Sequence, residues 1–329
     1  MARFFDEAEA PDLADLGLTV AVIGYGNQGH AHAQNLRDSG VKVIVGARAS
    51  GKAHGHATAD GFEVFEIADA VQNCDILMLT LPDVAMQEIV KHQVIPGLHE
   101  GQTVLFAHGF NVVYGYLKFP KKVDVGLVSP KGAGAKLRSQ FLDGSGLAAL
   151  VAVEQDATGE AWNRVLGYAR GIGSFRSVVM ETSFREETHT DLFGEQTVLC
   201  GGIPELLKMA FTTLVKAGYS PEAAYFECIH EAKLITDLIY DRGMEGMRQA
   251  ISDTAEWGGF EVGPRVISRD AQKAMDESLR RIQSGEFAAE WMEECAKGQV
   301  HLRAQEVKET THESVPVGQV LREKMKIQP

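Results

Sequence analysis

Leu18-Thr19-Val20-Ala21-Val22-Ile23-Gly24-Tyr25-Gly26-Asn27-Gln28-Gly29 is the stretch on which the fold turns. An apolar, β-branched run leads without a break into Gly-x-Gly-x-x-Gly, and an Ala- and His-rich stretch follows. The spacing predicts a buried strand, a tight turn and a helix whose first N–H groups face that turn. Such a turn lets the backbone approach a pyrophosphate, which the helix N-terminus then holds. Gly24, Tyr25, Gly26, Asn27, Gln28 and Gly29 are therefore candidate cofactor-binding residues, against the plainer reading of a structural glycine turn.

The same alternation continues outward. Apolar runs at Val41 to Val45, Asp75 to Leu81, Thr103 to Ala107, Val123 to Val128 and Leu147 to Val153 are separated by helical stretches. This rhythm predicts a doubly wound parallel sheet of the Rossmann-like α/β class. From about Phe184 the β-branched runs stop and amphipathic helical patterns begin. Pro204 to Ala217 is closed by Gly218, and Ser220 and Pro221 stand as N-cap and first residue of the next helix. The expected division is a nucleotide-binding domain over residues 1–183 and an all-helical domain over residues 184–329.

The chain has 329 residues, and 45 acids against 32 Lys and Arg give a net charge of -13, which disfavours nucleic acid and anionic membranes as partners. Hydrophobic residues at 45% supply enough apolar surface to exclude global disorder. Cys74, Cys200, Cys228 and Cys295 are far apart and form no CxxC pair, as expected of a reducing compartment. The acidic N-terminus resembles neither a signal nor a transit peptide, and no run approaches ~18 apolar residues. The expectation is a soluble, cytoplasmic protein.

The second strand ends at Val45-Gly46-Ala47, without the acid that usually binds the ribose hydroxyls of NAD. Arg48, Ser50 and Lys52 follow, a cationic and hydroxyl-bearing loop suited to the 2′-phosphate of NADPH. Solvated loop residues are the competing reading. His108 and Lys131 each follow a strand at its carboxyl end, where open α/β sheets bind ligands, though each alone reads as a loop residue.

In the helical half, Asp191 and Glu195 lie at i and i+4, as do Glu227 and Glu231. Each spacing puts two carboxylates on one helix face, and two such faces would offer hard oxygen ligands to divalent cations such as Mg²⁺. At this acid content about six such pairs arise by chance. Their core-facing flanks, Leu192, Phe193 and Phe226 among them, favour a compensating cation, and a solvated acidic face stays open. Ser252 reads as a helix cap.

Together these segments resemble the short-form ketol-acid reductoisomerase family from about Leu16 to Met292. The resemblance is carried by residues 24–32, Phe106-Ala107-His108-Gly109-Phe110-Asn111, Pro130-Lys131-Gly132, Asp191-Leu192-Phe193-Gly194-Glu195-Gln196, residues 225–231 and Ile251-Ser252-Asp253-Thr254-Ala255-Glu256. It implies an isomeroreductase that converts 2-acetolactate or 2-aceto-2-hydroxybutyrate into a 2,3-dihydroxy acid in valine and isoleucine synthesis, with two Mg²⁺ and NADPH. It further implies that Asp191 bridges both ions, that Glu195 binds one and moves protons, and that Glu227 and Glu231 lie near the other. Ser252 would hold the substrate carboxylate with Glu231 beside it. His108, Lys131 and the loop carrying Gly134 would line the nicotinamide pocket. The second acidic pair and the serine would come from the partner subunit, making the enzyme a homodimer or a larger assembly. The loop reads Gly132-Ala133-Gly134-Ala135 where the family usually has Gly-Pro-Gly, and Ser50 is the only hydroxyl beside Arg48 and Lys52, so NADH use stays open. Two rivals remain, a simple β-hydroxyacid dehydrogenase and a nucleotide-binding sensor without chemistry.

Overall fold

The computed structural model describes residues 2–327 and divides between Thr190 and Asp191 into two compact units. The first is built on a 9-stranded sheet. Its strands are β1 (Phe4–Phe5), β2 (Thr19–Ile23), β3 (Lys42–Gly46), β4 (Glu63–Phe65), β5 (Ile76–Leu79), β6 (Thr103–Phe106), β7 (Asp124–Pro130), β8 (Ala149–Gln155) and β9 (Val179–Glu181). They run in the order β1-β9-β8-β7-β6-β5-β2-β3-β4. From β4 to β7 every pairing is parallel, whereas β8 joins β7 and β1 joins β9 antiparallel.

Successive residues of the central strands supply two separate cores. Val20, Val22, Ile76, Met78 and Leu105 pack into one, and Ala21, Ile23, Leu77, Leu79, Val104 and Phe106 into the other. That alternation is the period of two in a pleated strand, and both faces are apolar because helices cover both. The chain leaves β2 for β3 and β4, then returns to β5 on the other side of β2. Such a switch point opens a crevice at the carboxyl ends of the strands, and the glycine loop begins there.

The six expected strands are present, and three short ones, β1, β4 and β9, escaped the sequence reading. Strands of two or three residues cannot display a periodicity. The antiparallel β7–β8 pairing makes the sheet mixed, a frequent feature of large doubly wound sheets.

The second unit is helical. Gly202–Lys216 is followed by Pro221–Tyr225, Glu231–Gln249, Asp253–Val266, Arg269–Ser284, Glu286–Ala296, Val300–Thr310 and Ser314–Lys324. Ser220 Oγ accepts from Ala223 N, and Pro221 opens the helix, as the sequence predicts. Two π-helical turns, Glu195–Leu199 and Phe226–His230, interrupt the α-helical run. Phe211, Ala224, Tyr225 and Leu321 form a small core. Among the described residues, the helical run Phe184–Lys216 is long and apolar enough, by length and composition, to cross a membrane. Glu205 and Lys208 break its apolar sequence, so no uninterrupted run marks it.

One buried pair in the first unit ties stability to pH. His32 and Tyr168 are both 0% exposed, and His32 Nδ1 lies 3.0 Å from Tyr168 Oη. Burial lowers the His32 pKa from the usual 6.5 to about 4. Below pH 6.5 the unfolded chain therefore takes up a proton that the fold refuses, and stability declines until the folded imidazole titrates near 4. The full loss is ~3 kcal/mol. Thermal unfolding of His32→Asn between pH 7 and 4 should show a flatter acid limb than the wild type; parallel limbs would place the acid sensitivity elsewhere.

Candidate active site

The glycine loop is shaped by what surrounds it. Gly24 has φ +96, a left-handed conformation that a side chain would strain, and it carries the chain out of β2. A Cβ at Gly29 would lie 2.2 Å from Gly24 O, so only glycine lets the helix Asn27–Asp38 start this close to the strand. A Cβ at Gly26 meets nothing within 4 Å, because that position faces a cavity of about 450 Å³. Tyr25, Gln28, Thr80, Pro82 and His108 also line this cavity. Its size suits part of a dinucleotide. A backbone cradle that opens into space at the glycine where close approach is needed fits such a cofactor.

Neighbouring elements hold the loop. Gln28 Nε2 donates to Gly132 O at 3.0 Å, and a Cβ at Gly134 would lie 1.8 Å from Asn27 O. Gly134 thus lets the helix Gly134–Leu142 rest against the glycine loop. Tyr25 Oη donates to Asp60 Oδ2 at 2.7 Å. Burial, with that bond second, raises the Tyr25 phenol above its ordinary pKa, and the same bond lowers the Asp60 carboxyl. Arg48 and Ser50 are exposed on the loop after β3, where Gly51 N closes a turn on Arg48 O at 2.8 Å, and Lys52, also exposed, opens the helix Lys52–Ala59. Ala49 N donates to Glu66 Oε1 at 2.8 Å.

At the ends of β6 and β7 stands a group that the sequence reading gave no role. Glu187, on the helix Phe184–Gly194, has a side chain that is 0% exposed. Its Oε1 accepts from Ser129 Oγ at 2.8 Å and from Lys131 Nζ at 2.9 Å. Its Oε2 accepts from Gly109 N at 3.2 Å and lies 3.2 Å from His108 Nδ1. Burial pushes its pKa upward, but the His108 hydrogen bond, the His108 and Lys131 charges and the Lys131 hydrogen bond outweigh it, and the value falls to about 2. Lys131 and His108 keep side chains 30% and 23% exposed, so both are fixed at one end and accessible at the other. Glu187 has a visible signal in the sequence, since Glu187, Asp191 and Glu195 form one i,i+4 row.

Asp191 stands one turn beyond Glu187 on the same helix, and Glu195 begins the π-helical turn after it. Glu227 lies in the second π turn and Glu231 directly after it. Such turns are frequent at functional sites. Glu195, Glu227 and Glu231 are exposed. Among the described residues, Glu227 and Glu231 join no group of three or more His, Cys, Asp or Glu ligand atoms. A single chain thus does not gather the four acids of the expected metal centre. Carboxylate oxygens are nevertheless the hard donors that Mg²⁺ selects, so the chemistry of the set fits that ion. Ser252 caps Asp253–Val266, its Oγ accepting from Ala255 N at 3.2 Å.

Residues 16–177 match the acetohydroxy acid isomeroreductase NADPH-binding domain, and residues 184–327 match the ketol-acid reductoisomerase C-terminal domain. The chain belongs to the ketol-acid reductoisomerase family. The structure of an NADH-preferring ketol-acid reductoisomerase from an uncultured archaeon is similar, at 40% identity over 98% of each chain with a TM-score of 0.94. A semialdehyde dehydrogenase NAD-binding protein from Cupriavidus necator shares only the fold, at 20% identity over 80% of this chain and 99% of that one, with a TM-score of 0.61. So does the 1-pyrroline-5-carboxylate reductase of Streptococcus pyogenes, at 13% identity over 81% of this chain and 98% of that one, with a TM-score of 0.54. As a ketol-acid reductoisomerase, the protein is an oxidoreductase with a Rossmann-type NAD(P)H-binding domain.

The Glu187 cluster couples stability to pH. Its depressed pKa gives stabilisation that is present above the usual 4.5 and fades as pH falls toward 2. Glu187→Gln should lower stability at pH 7 by ~3 kcal/mol, since it leaves a lysine without its buried partner. Chemical denaturation at several pH values should show the gap closing below pH 4.5, whereas a constant gap would assign the loss to packing.

Proposed function

We propose that this chain is a Mg²⁺-dependent isomeroreductase of 2-acetolactate or 2-aceto-2-hydroxybutyrate, using NADPH or NADH, in valine and isoleucine synthesis. One observation carries the reading. The helix that buries Glu187 against Lys131 and His108 presents Asp191 one turn later and leads directly into Glu195. Groups suited to polarising a carbonyl and hard-metal carboxylates thus follow one another along one stretch of chain, and a simple hydroxyacid dehydrogenase has no need of the second.

Asp191 and Glu195, with Glu227 and Glu231 from a second copy of the chain, would hold the ions. The glycine loop would hold the dinucleotide. Bound Mg²⁺ supplies polarisation of a ketone and its neighbouring tertiary alcohol, and bound nicotinamide supplies hydride. Glu195 accepts the proton of the tertiary alcohol as the alkyl group moves to the adjacent carbonyl carbon, and returns it to the alkoxide formed there. The product of that migration is a 3-hydroxy-2-keto acid. Lys131, held by Glu187, donates to the C2 oxygen as reduction places charge on it. His108 fixes the same wall of the pocket, while Ser252 and Glu231 orient the substrate carboxylate and hydroxyl.

A homodimer follows from the same division of ligands and is supported by the surface of the helical unit. Tyr240, Met244, Trp257 and Phe260 are 85%, 68%, 69% and 57% exposed. Four large apolar side chains this exposed on two helices favour a covering surface. Glu186, Glu187, Asp191 and Glu195 in the first part of the run Phe184–Lys216, with Glu205 and Lys208 further in, make protein a better cover than lipid, where charge is costly. Four free cysteines support a cytoplasmic enzyme.

Purified protein given 2-acetolactate, Mg²⁺ and reduced nicotinamide should oxidise the cofactor and lose that activity in EDTA. Glu195→Gln should lower kcat by about 10²–10⁴-fold while the dissociation constant of NADPH stays unchanged. Turnover that persists in EDTA would favour the hydroxyacid dehydrogenase instead.

A further inference from the structure

The loop after β3 carries cations suited to a 2′-phosphate and lacks the acid usual in NAD enzymes, yet the folded chain brings an acid to it. β4 lies beside β3 in parallel register, with Gly46 opposite Phe65, and Ala47 N donates to Phe65 O at 3.0 Å. The two strands therefore release their chains side by side at the same edge of the sheet. The residue after β4 is Glu66, and its Oε1 accepts from Ala49 N, in the middle of the cofactor loop, at 2.8 Å.

Glu66 is also the N-cap of Ile67–Gln72, where a polar side chain ordinarily turns back to bond its own helix. It makes no such bond. Its carboxylate instead reaches across to the loop 17 residues earlier. Among the described residues neither Arg48 nor Lys52 forms an ion pair, so Glu66 does not neutralise these cations by direct contact. It stands exposed and bonded to Ala49, which lies between Arg48 and Ser50 in the loop that would receive a 2′-phosphate.

We infer that Glu66 is a specificity-determining residue for the nicotinamide cofactor, supplying from β4 the ribose-facing acid that the end of β3 lacks. One carboxylate oxygen braces the loop through Ala49 N. The other offers an acceptor for a free ribose hydroxyl and repels the dianionic 2′-phosphate. Arg48, Ser50 and Lys52 act in the opposite direction, and the balance between the two sets the NADH to NADPH ratio. This rests on the glycine loop being a dinucleotide site but not on the isomerisation chemistry.

Binding to the full-length protein tests it without turnover. NADH and NADPH dissociation constants would be measured by nicotinamide fluorescence, and those of adenosine 5′-monophosphate and adenosine 2′,5′-bisphosphate by calorimetry. Glu66→Gln keeps an acceptor for Ala49 N and removes the charge. It should tighten NADPH and the bisphosphate by about tenfold, leaving NADH and the monophosphate unchanged or weaker. Glu66→Ala, which also removes the brace, should shift the ratio the same way while weakening all four ligands. Equal effects on the ligands with and without a 2′-phosphate in Glu66→Gln would reduce Glu66 to a loop brace and overturn the assignment. If the wild type binds none of the four, the dinucleotide site itself fails and the assignment with it; if it binds them but lacks turnover, only the proposed reaction fails.

Discussion

A carboxylate taken wholly out of water must find charge and hydrogen bonds in the protein, and Glu187 finds them on two strands at once. Lys131 and Ser129 come from the end of β7, and His108 and the Gly109 amide from the end of β6. The helix carrying Glu187 is thereby fixed to the carboxyl edge of the sheet, where a doubly wound fold binds its ligands. Removing one partner would strand a charge at a site with little water, so the contact is costly to break once formed. Lys131 and His108 are left with one end held and the other accessible, the condition of groups that must be aimed without being used up by the fold.

Much of this was legible in the sequence because it rests on local periodicity. The run at residues 18–23 and the glycines after it specify a strand and a turn through their own backbone preferences, and the helix caps at Ser220 and Ser252 follow from one side chain each. The short strands β1, β4 and β9 were not legible, since they owe their existence to the edges on which they pair. Glu187 sits in a visible row of acids, but its burial depends on β6 and β7, which the row does not reveal. Glu66 had no signal at all, because its relation to Ala49 exists only once β3 and β4 lie side by side.

The two halves of the chain divide the demands of the chemistry differently. The nucleotide unit completes its own cradle, with Gly24, Gly29 and Gly134 allowing approaches that larger residues would block. The helical unit carries acids on helix faces and leaves Trp257, Tyr240 and Met244 at its surface. In the proposed dimer, burial of those apolar groups would offset the cost of bringing the acids together. The cofactor loop shows the same logic in small, since a cationic loop and a neighbouring acid tune one preference between them.

The coupling through Glu187 is tested most directly by comparing Glu187→Gln with the wild type on two substrates, 2-acetolactate and the 3-hydroxy-2-keto acid that alkyl migration would form from it. If Glu187 aims Lys131 at the oxygen that gains charge, reduction of the keto acid falls as far as the overall reaction does, with little change in nicotinamide affinity. Unimpaired reduction of the keto acid by the variant would contradict that role.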